Sequence, residues 1–86
     1  MAGQDVEVID LLQRAALAVM KRELPGLTLD TNLAVAGIDS VGVLEMVCWI
    51  EDHLGLRLPD DEVARVATVA DVAALIERTR RAAEAG

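Results

Sequence analysis

Phenylalanine and tyrosine are absent from this 86-residue chain, and tryptophan occurs once. The core must therefore be filled by Leu, Val, Ile, Met and Ala, side chains suited to helix-on-helix packing. A single cysteine excludes an intrachain disulfide and points to a reducing compartment. Basic residues are scarce, with eight Lys and Arg against fifteen Asp and Glu and a net charge of −7. Phosphate neutralisation needs a basic face, so nucleic acid is not an expected partner. No run is apolar over the length of a membrane span, so no membrane partner is expected. Asp5, Glu7 and Asp10 stand where a secretory signal would be basic, and a soluble cytoplasmic protein is expected. At this size only about 60% of the unfolded surface can be buried, so one small domain of modest stability is expected over residues 1–86, and a monomer is expected.

The acids that are present are unevenly placed. Asp30, Asp39, Glu45, Glu51, Asp52, Asp60, Asp61 and Glu62 fall in one segment whose only base is Arg57. That segment carries the whole net charge. It is either a solvated surface or an acidic face that steers basic partners.

Apolar periodicity gives four helices, over about 4–23, 40–54, 60–66 and 69–81: an all-α, four-helix bundle of three longer helices and one short one. Val6, Ile9, Leu12, Ala16, Val19 and Met20 recur at helical steps in the first. Lys21 and Arg22 are expected in its last turn and Pro25-Gly26 beyond its end. Residues 27–39 have no sustained period and are long for a connection in a small bundle, yet their apolar residues suggest a segment lying across it. In the second helix Val43, Met46, Val47, Ile50 and Leu54 form the core arc, and Gly55 is expected as a left-handed cap. Asp60-Asp61-Glu62 opens the short helix. Thr68-Val69-Ala70-Asp71 reads as a capping box for the last, where Val69, Val72, Ala73, Leu75 and Ile76 face inward. Arg78, Arg80 and Arg81 are expected to complement its C-terminal dipole, and residues 82–86 to fray.

Enzyme chemistry finds little support. The one histidine, His53, shares the second helix with Ser40, about 20 Å away at 1.5 Å per residue, so the two cannot form a hydrolytic pair. Asp60, Asp61 and Glu62 are consecutive and diverge around a helix start, so no metal site is expected. No phosphate-cradling glycine loop is present. Ser40 remains, at the junction of a Gly-bearing loop and the second helix. A helix N-terminus favours a negative group, so Ser40 is either a plain N-cap or a point of attachment for something anionic. Val41, Leu44 and Cys48 form a second apolar stripe opposite the core arc, flanked by Glu45, Glu51 and Asp52. This is either scattered surface or a strip for a partner. Trp49 lies between the two stripes. Gly42, unfavourable in a first turn by up to about 1 kcal/mol against Ala, is expected to allow close approach of an attached group or a partner.

Gly37-Ile38-Asp39-Ser40-Val41 resembles the attachment motif of acyl carrier proteins, usually written D-S-L. The likeness continues through Glu45 and Glu51-Asp52, through Leu54-Gly55-Leu56-Arg57-Leu58-Pro59-Asp60-Asp61-Glu62, and into Ala67-Thr68-Val69-Ala70-Asp71. It covers about residues 4–80. The resemblance implies a bundle of the acyl-carrier type, with Ser40 holding a covalent 4′-phosphopantetheine donated from coenzyme A by a phosphopantetheinyl transferase. It gives Asp39 a role in docking that enzyme or holding its metal. It makes Val41, Leu44, Glu45, Cys48, Glu51 and Asp52 a recognition face for an acyl-loading ligase or acyltransferase and for a ketosynthase or other enzymes with basic docking surfaces. Such a protein is a carrier, not an enzyme. Val41 in place of the usual Leu, together with Gly42 and Cys48, departs from the commonest fatty-acid carriers and favours a free-standing carrier in polyketide or related natural-product assembly. A peptidyl (aminoacyl) carrier shares the chemistry. An unmodified acidic helical adaptor is the reading from a different class.

Overall fold

The computed structural model describes residues 3–85, with side chains from Val6 onward. Its four helices are α1 (Gly3–Met20), α2 (Ser40–Leu54), α3 (Asp60–Val63) and α4 (Val69–Ala85). Among the described residues there is no strand, only an isolated bridge between Asn32 and Thr68. The helices bury one aliphatic core in which Leu12 of α1, Met46 and Ile50 of α2, and Leu75 and Ile76 of α4 are fully enclosed. The bundle is the all-α one that the periodicity describes.

Helix α1 stops three residues short of the expected end, because the chain leaves the axis in a tight turn. Lys21 takes a left-handed conformation, φ 56°, the one positive φ outside glycine among the described residues. A side chain there costs about 1–2 kcal/mol. The turn is held by an Arg22 amide bond to the Ala16 carbonyl at 3.3 Å and by Gln13 Nε2 donating to the Leu24 carbonyl at 2.9 Å. Lys21 and Arg22 therefore do not sit in a last turn of α1 at all.

Helix α2 has the bounds its sequence specifies. Asp39, in extended backbone, receives the Gly42 amide on Oδ1 at 2.8 Å, and Gly55 at φ 68° returns its amide to the Glu51 carbonyl. Met46, Val47 and Ile50 are buried, with Val43 and Leu54 half-buried at the edges of the same arc. Gly42 is also buried, and the close approach it allows is internal: an added Cβ would meet Ile38 Cγ2 at 3.0 Å and Met20 Sδ at 3.1 Å. The expectation that it makes room for an attached group or a partner is corrected accordingly.

Helix α3 ends at Val63 rather than 66. Beyond it Arg65 and Val66 bond three residues back, to Glu62 and Val63, so the chain tightens and unwinds before the next cap. At α4 the capping box is present. Thr68 Oγ1 accepts the Asp71 amide at 3.2 Å, while Asp71 Oδ2 accepts the amides of Thr68 and Ala67 at 3.0 and 2.9 Å. The five residues expected to face inward are buried. The helix runs four residues past the expected end, through Ala82, Ala83, Glu84 and Ala85, all but one of them alanine and all good helix formers. Arg78, Arg80 and Arg81 are therefore not terminal. They pair with Glu62, Glu7 and Glu77 at 2.9, 2.7 and 2.9 Å, exposed contacts worth about 0–1 kcal/mol each.

The long connection does lie across the bundle. Leu27, Leu33 and Ile38 are buried in the core. Its backbone meets the start of α4: the Leu33 amide bonds to Ala67, and the Val69 and Ala70 amides bond to Thr31 and Leu29, at 2.9–3.1 Å. Two of the otherwise orphaned donors of α4 are thus satisfied by the loop that leads to Ser40.

Candidate functional site

Ser40 is the first residue of α2, and it is exposed. The cap is supplied by Asp39, so the Ser40 hydroxyl is not consumed in holding the helix. Among the described residues the Ser40 and Val41 amides find no acceptor, which leaves the positive end of the helix dipole open beside the hydroxyl. The approach to the serine is shaped by Gly37, at φ 89°, and by Ile38, whose amide bonds to the Leu33 carbonyl at 3.0 Å.

A cleft of about 360 Å³ opens beside Asp39 and Ser40 between the loop, α2 and α3. Its lining is mostly apolar and includes Leu33, Ile38, Val43, Leu44, Val63 and Val66. A phosphodiester at Ser40 would meet free amides, and a flexible chain attached through it would find an apolar wall within reach. The residues present fit such a group.

The stripe opposite the core is in the open. Val41 is 63% and Leu44 47% exposed, and Cys48 is exposed as well. With Glu45, Asp52, Trp49 and Val19 of α1 they line a shallow hollow of about 410 Å³. Val19 was legible only as a core position of α1; it is half-buried and reaches this hollow at the helix seam. Trp49 is fixed rather than free: its ring stacks on His53 at 5.1 Å and 9°, with the Arg14 guanidinium 5.7 Å from its centre.

Glu51 does not join this hollow. It is half-buried, and its Oε2 accepts the Leu58 amide at 2.6 Å, tying the bridge after Gly55 back to α2. The structure thus brings Val41, Leu44, Glu45, Cys48 and Asp52 together and turns Glu51 to a different task. Arg22 is the residue that sequence reasoning missed. Its guanidinium donates to the carbonyls of Ala36 and Gly37 at 2.8 and 2.9 Å, on the loop just ahead of Ser40. No local pattern signals a contact made across fourteen and fifteen residues.

Fold and site together define a small helical carrier domain, with an accessible serine heading one helix and an acid-rimmed apolar strip along it. The family described as a phosphopantetheine attachment site matches residues 10–76, and the chain belongs to that family, the family of the acyl carrier proteins. Its members hold a covalent 4′-phosphopantetheine and catalyse no reaction themselves. The chain is 39% identical over 44 residues to the acyl carrier protein of Wolinella succinogenes, a match covering 51% of this chain and 58% of that one. It is 34% identical over 56 residues to chloroplastic acyl carrier protein 2 of Arabidopsis thaliana, covering 65% of this chain and 41% of that one. Less than two thirds of either relative's length is spanned. Among solved structures, the acyl carrier protein of Thermotoga maritima superposes with a TM-score of 0.86 at 22% identity, covering 92% of this chain and 93% of that one. The acetyl actinorhodin acyl carrier protein of Streptomyces coelicolor does so with a TM-score of 0.69 at 28% identity, covering 95% and 93%. Among the described residues no helix is long and apolar enough to cross a membrane.

Proposed function

We propose that this chain, acting as one carrier domain in the cytoplasm, bears 4′-phosphopantetheine on Ser40 and presents acyl intermediates to the enzymes of a polyketide or related natural-product pathway. The observation that carries the reading is the division of labour at the head of α2: Asp39 caps the helix, and the adjacent Ser40 hydroxyl is left exposed beside an apolar cleft. In the loading step Ser40 Oγ attacks the β-phosphorus of coenzyme A. The bond to 3′,5′-adenosine bisphosphate breaks, and the hydroxyl proton leaves to a base of the phosphopantetheinyl transferase. The arm, once attached, supplies a thiol that holds cargo as a thioester. Asp39 contributes chiefly by fixing the helix start, so that the hydroxyl is presented in one place.

Val41, Leu44 and Cys48 form the docking strip, and Glu45 and Asp52 select partners with basic rims: the transferase, an acyl-loading ligase or acyltransferase, and a ketosynthase. Such contacts are screened by salt over about 10 Å at 0.1 M, which keeps them brief enough for cargo to be handed on. The mostly aliphatic lining of the cleft suits an acyl chain better than an aminoacyl group with its charged amine. The adaptor reading explained Ser40 as a plain cap, and with Asp39 in that place it leaves the serine unaccounted for. The test is intact mass before and after incubation with coenzyme A, magnesium and a broad-specificity transferase. One phosphopantetheine should be gained by the wild type and none by Ser40→Ala. A folded wild type left unmodified by several transferases would overturn the proposal.

A further inference from the structure

Two backbone conformations that side chains disfavour stand at the two ends of the segment leading to Ser40: Lys21 at φ 56° and Gly37 at φ 89°. One side chain joins them. The turn at Lys21 throws Arg22 off the end of α1 and toward the loop. There Nη2 and Nη1 donate separately to the Ala36 and Gly37 carbonyls at 2.8 and 2.9 Å. The guanidinium also covers the side of Gly37 where a Cβ would be, with Nη1 and Nη2 both 3.4 Å from that position. The turn at Lys21 is held by the bonds to Ala16 and Leu24, and at the far end this fork adds to the Gly37 amide's bond to the Ala34 carbonyl at 3.0 Å. Three residues beyond the clamped carbonyl comes Ser40. Between them the Ile38 amide is tied to Leu33 and Asp39 caps the helix, so the geometry set at Gly37 is passed directly to the serine.

We propose that Arg22 is a positioning residue for the modification of Ser40: its two-pronged grip on the Ala36 and Gly37 carbonyls pre-orders the loop that the transferase must engage. The inference rests on the carrier reading of Ser40. Arg22 touches neither the serine nor the incoming group. It acts by removing the ordering that the transferase would otherwise impose at each encounter. A planar fork is required for this, because an ammonium offers a point charge and cannot hold two carbonyls in fixed relation.

The experiment compares wild type, Arg22→Ala and Arg22→Lys in initial rates of modification by one transferase, read as kcat and KM for the carrier. Amide hydrogen exchange at Gly37 and Ile38, and the urea midpoint, are measured alongside. Loss of two charge-assisted bonds at an exposed site should lower kcat/KM about tenfold in Arg22→Ala. Exchange at Gly37 and Ile38 should quicken while α4 keeps its protection, and Arg22→Lys should resemble Arg22→Ala. Full activity in Arg22→Lys would make Arg22 a charge recognised by the transferase and overturn the proposal. So would loop exchange that quickens with no change in modification, or a loss of protection spread over the whole bundle. An unmodified wild type refutes the carrier reading itself, a result distinct from all of these.

Discussion

Replacing Gly42 with alanine opposes two effects of similar size. Alanine in a helix gains up to about 1 kcal/mol over glycine, less near a terminus. Against this stands the crowding at the site. The new Cβ would lie 3.0 Å from Ile38 Cγ2, 3.1 Å from Met20 Sδ and 3.3 Å from Asp39 Oδ1. Met20 is half-buried and flexible, so it can give way only at some cost. Ile38 is 3% exposed, stiff at χ1 and locked in the core, and Asp39 Oδ1 is engaged with the amide of residue 42 itself. Overpacking of this kind costs about 1–3 kcal/mol, so a net destabilisation of about 1 kcal/mol is expected. In a domain of this size that lowers the melting temperature by about 4–8 °C. Urea unfolding gives the free energy, with an unchanged m-value as the sign that folding remains two-state. The same substitution in a Met20→Ala background should cost less, since one of the opposing atoms is gone, and the difference measures the coupling. Equal or greater stability of Gly42→Ala with Met20 intact would refute the reasoning. Slower Ser40 modification at unchanged stability would refute it differently, by placing the glycine in service of the attached arm.

The roles of Asp39 as cap and as charge separate cleanly: Asp39→Ala should lose about 1 kcal/mol in urea unfolding and Asp39→Asn much less, because an amide oxygen can still accept the Gly42 amide. A slower modification rate in Asp39→Asn at near-native stability would then measure what the transferase takes from the charge alone. For Asp71, hydrogen bonds from the Thr68 and Ala67 amides hold the carboxyl below its ordinary 3.8, outweighing a small opposing effect of burial. A depressed folded-state value means stability that is present above the unfolded value and lost as pH falls through the folded one. Acid titration of thermal stability should therefore show a loss below about pH 4 that is smaller in Asp71→Ala, the variant being less stable at neutral pH. Curves that stay parallel through that range would refute it.

What the sequence reveals and what it hides follow from the range of the interactions involved. The bounds of helix α2 were legible because local signals set them: a cap-type residue at its head, and Gly55 four residues after Glu51. The capping box of α4 is equally local. The end of α1 was not legible. Lys21 and Arg22 suit a helix C-terminus by charge, and nothing nearby announces that the arginine is held by carbonyls at 36 and 37. Glu51 was misplaced for the same reason: on α2 alone it flanks the strip, and only the returning bridge offers it the Leu58 amide. The acidic residues could be counted from sequence, but which of them face a partner depends on which are already engaged. For Ser40 the position was readable and its freedom was not: the sequence offered Ser40 itself as the cap, and only the fold shows that Asp39 serves instead.

The pairing of the long loop with the first turn of α4 has a consequence for how the molecule can come apart. Thr31 and Leu29 supply acceptors to Val69 and Ala70, about forty residues later in the chain, so the segment before the serine and the last helix finish each other. Residues 29–33 and the first turn of α4 therefore cannot loosen separately. A protease nick within residues 27–39 would misplace the serine and at the same time leave the start of α4 with unsatisfied donors, exposing both regions to further cleavage. A chain damaged at its attachment loop would thus tend to be cleared whole, instead of persisting as a folded but unloadable bundle.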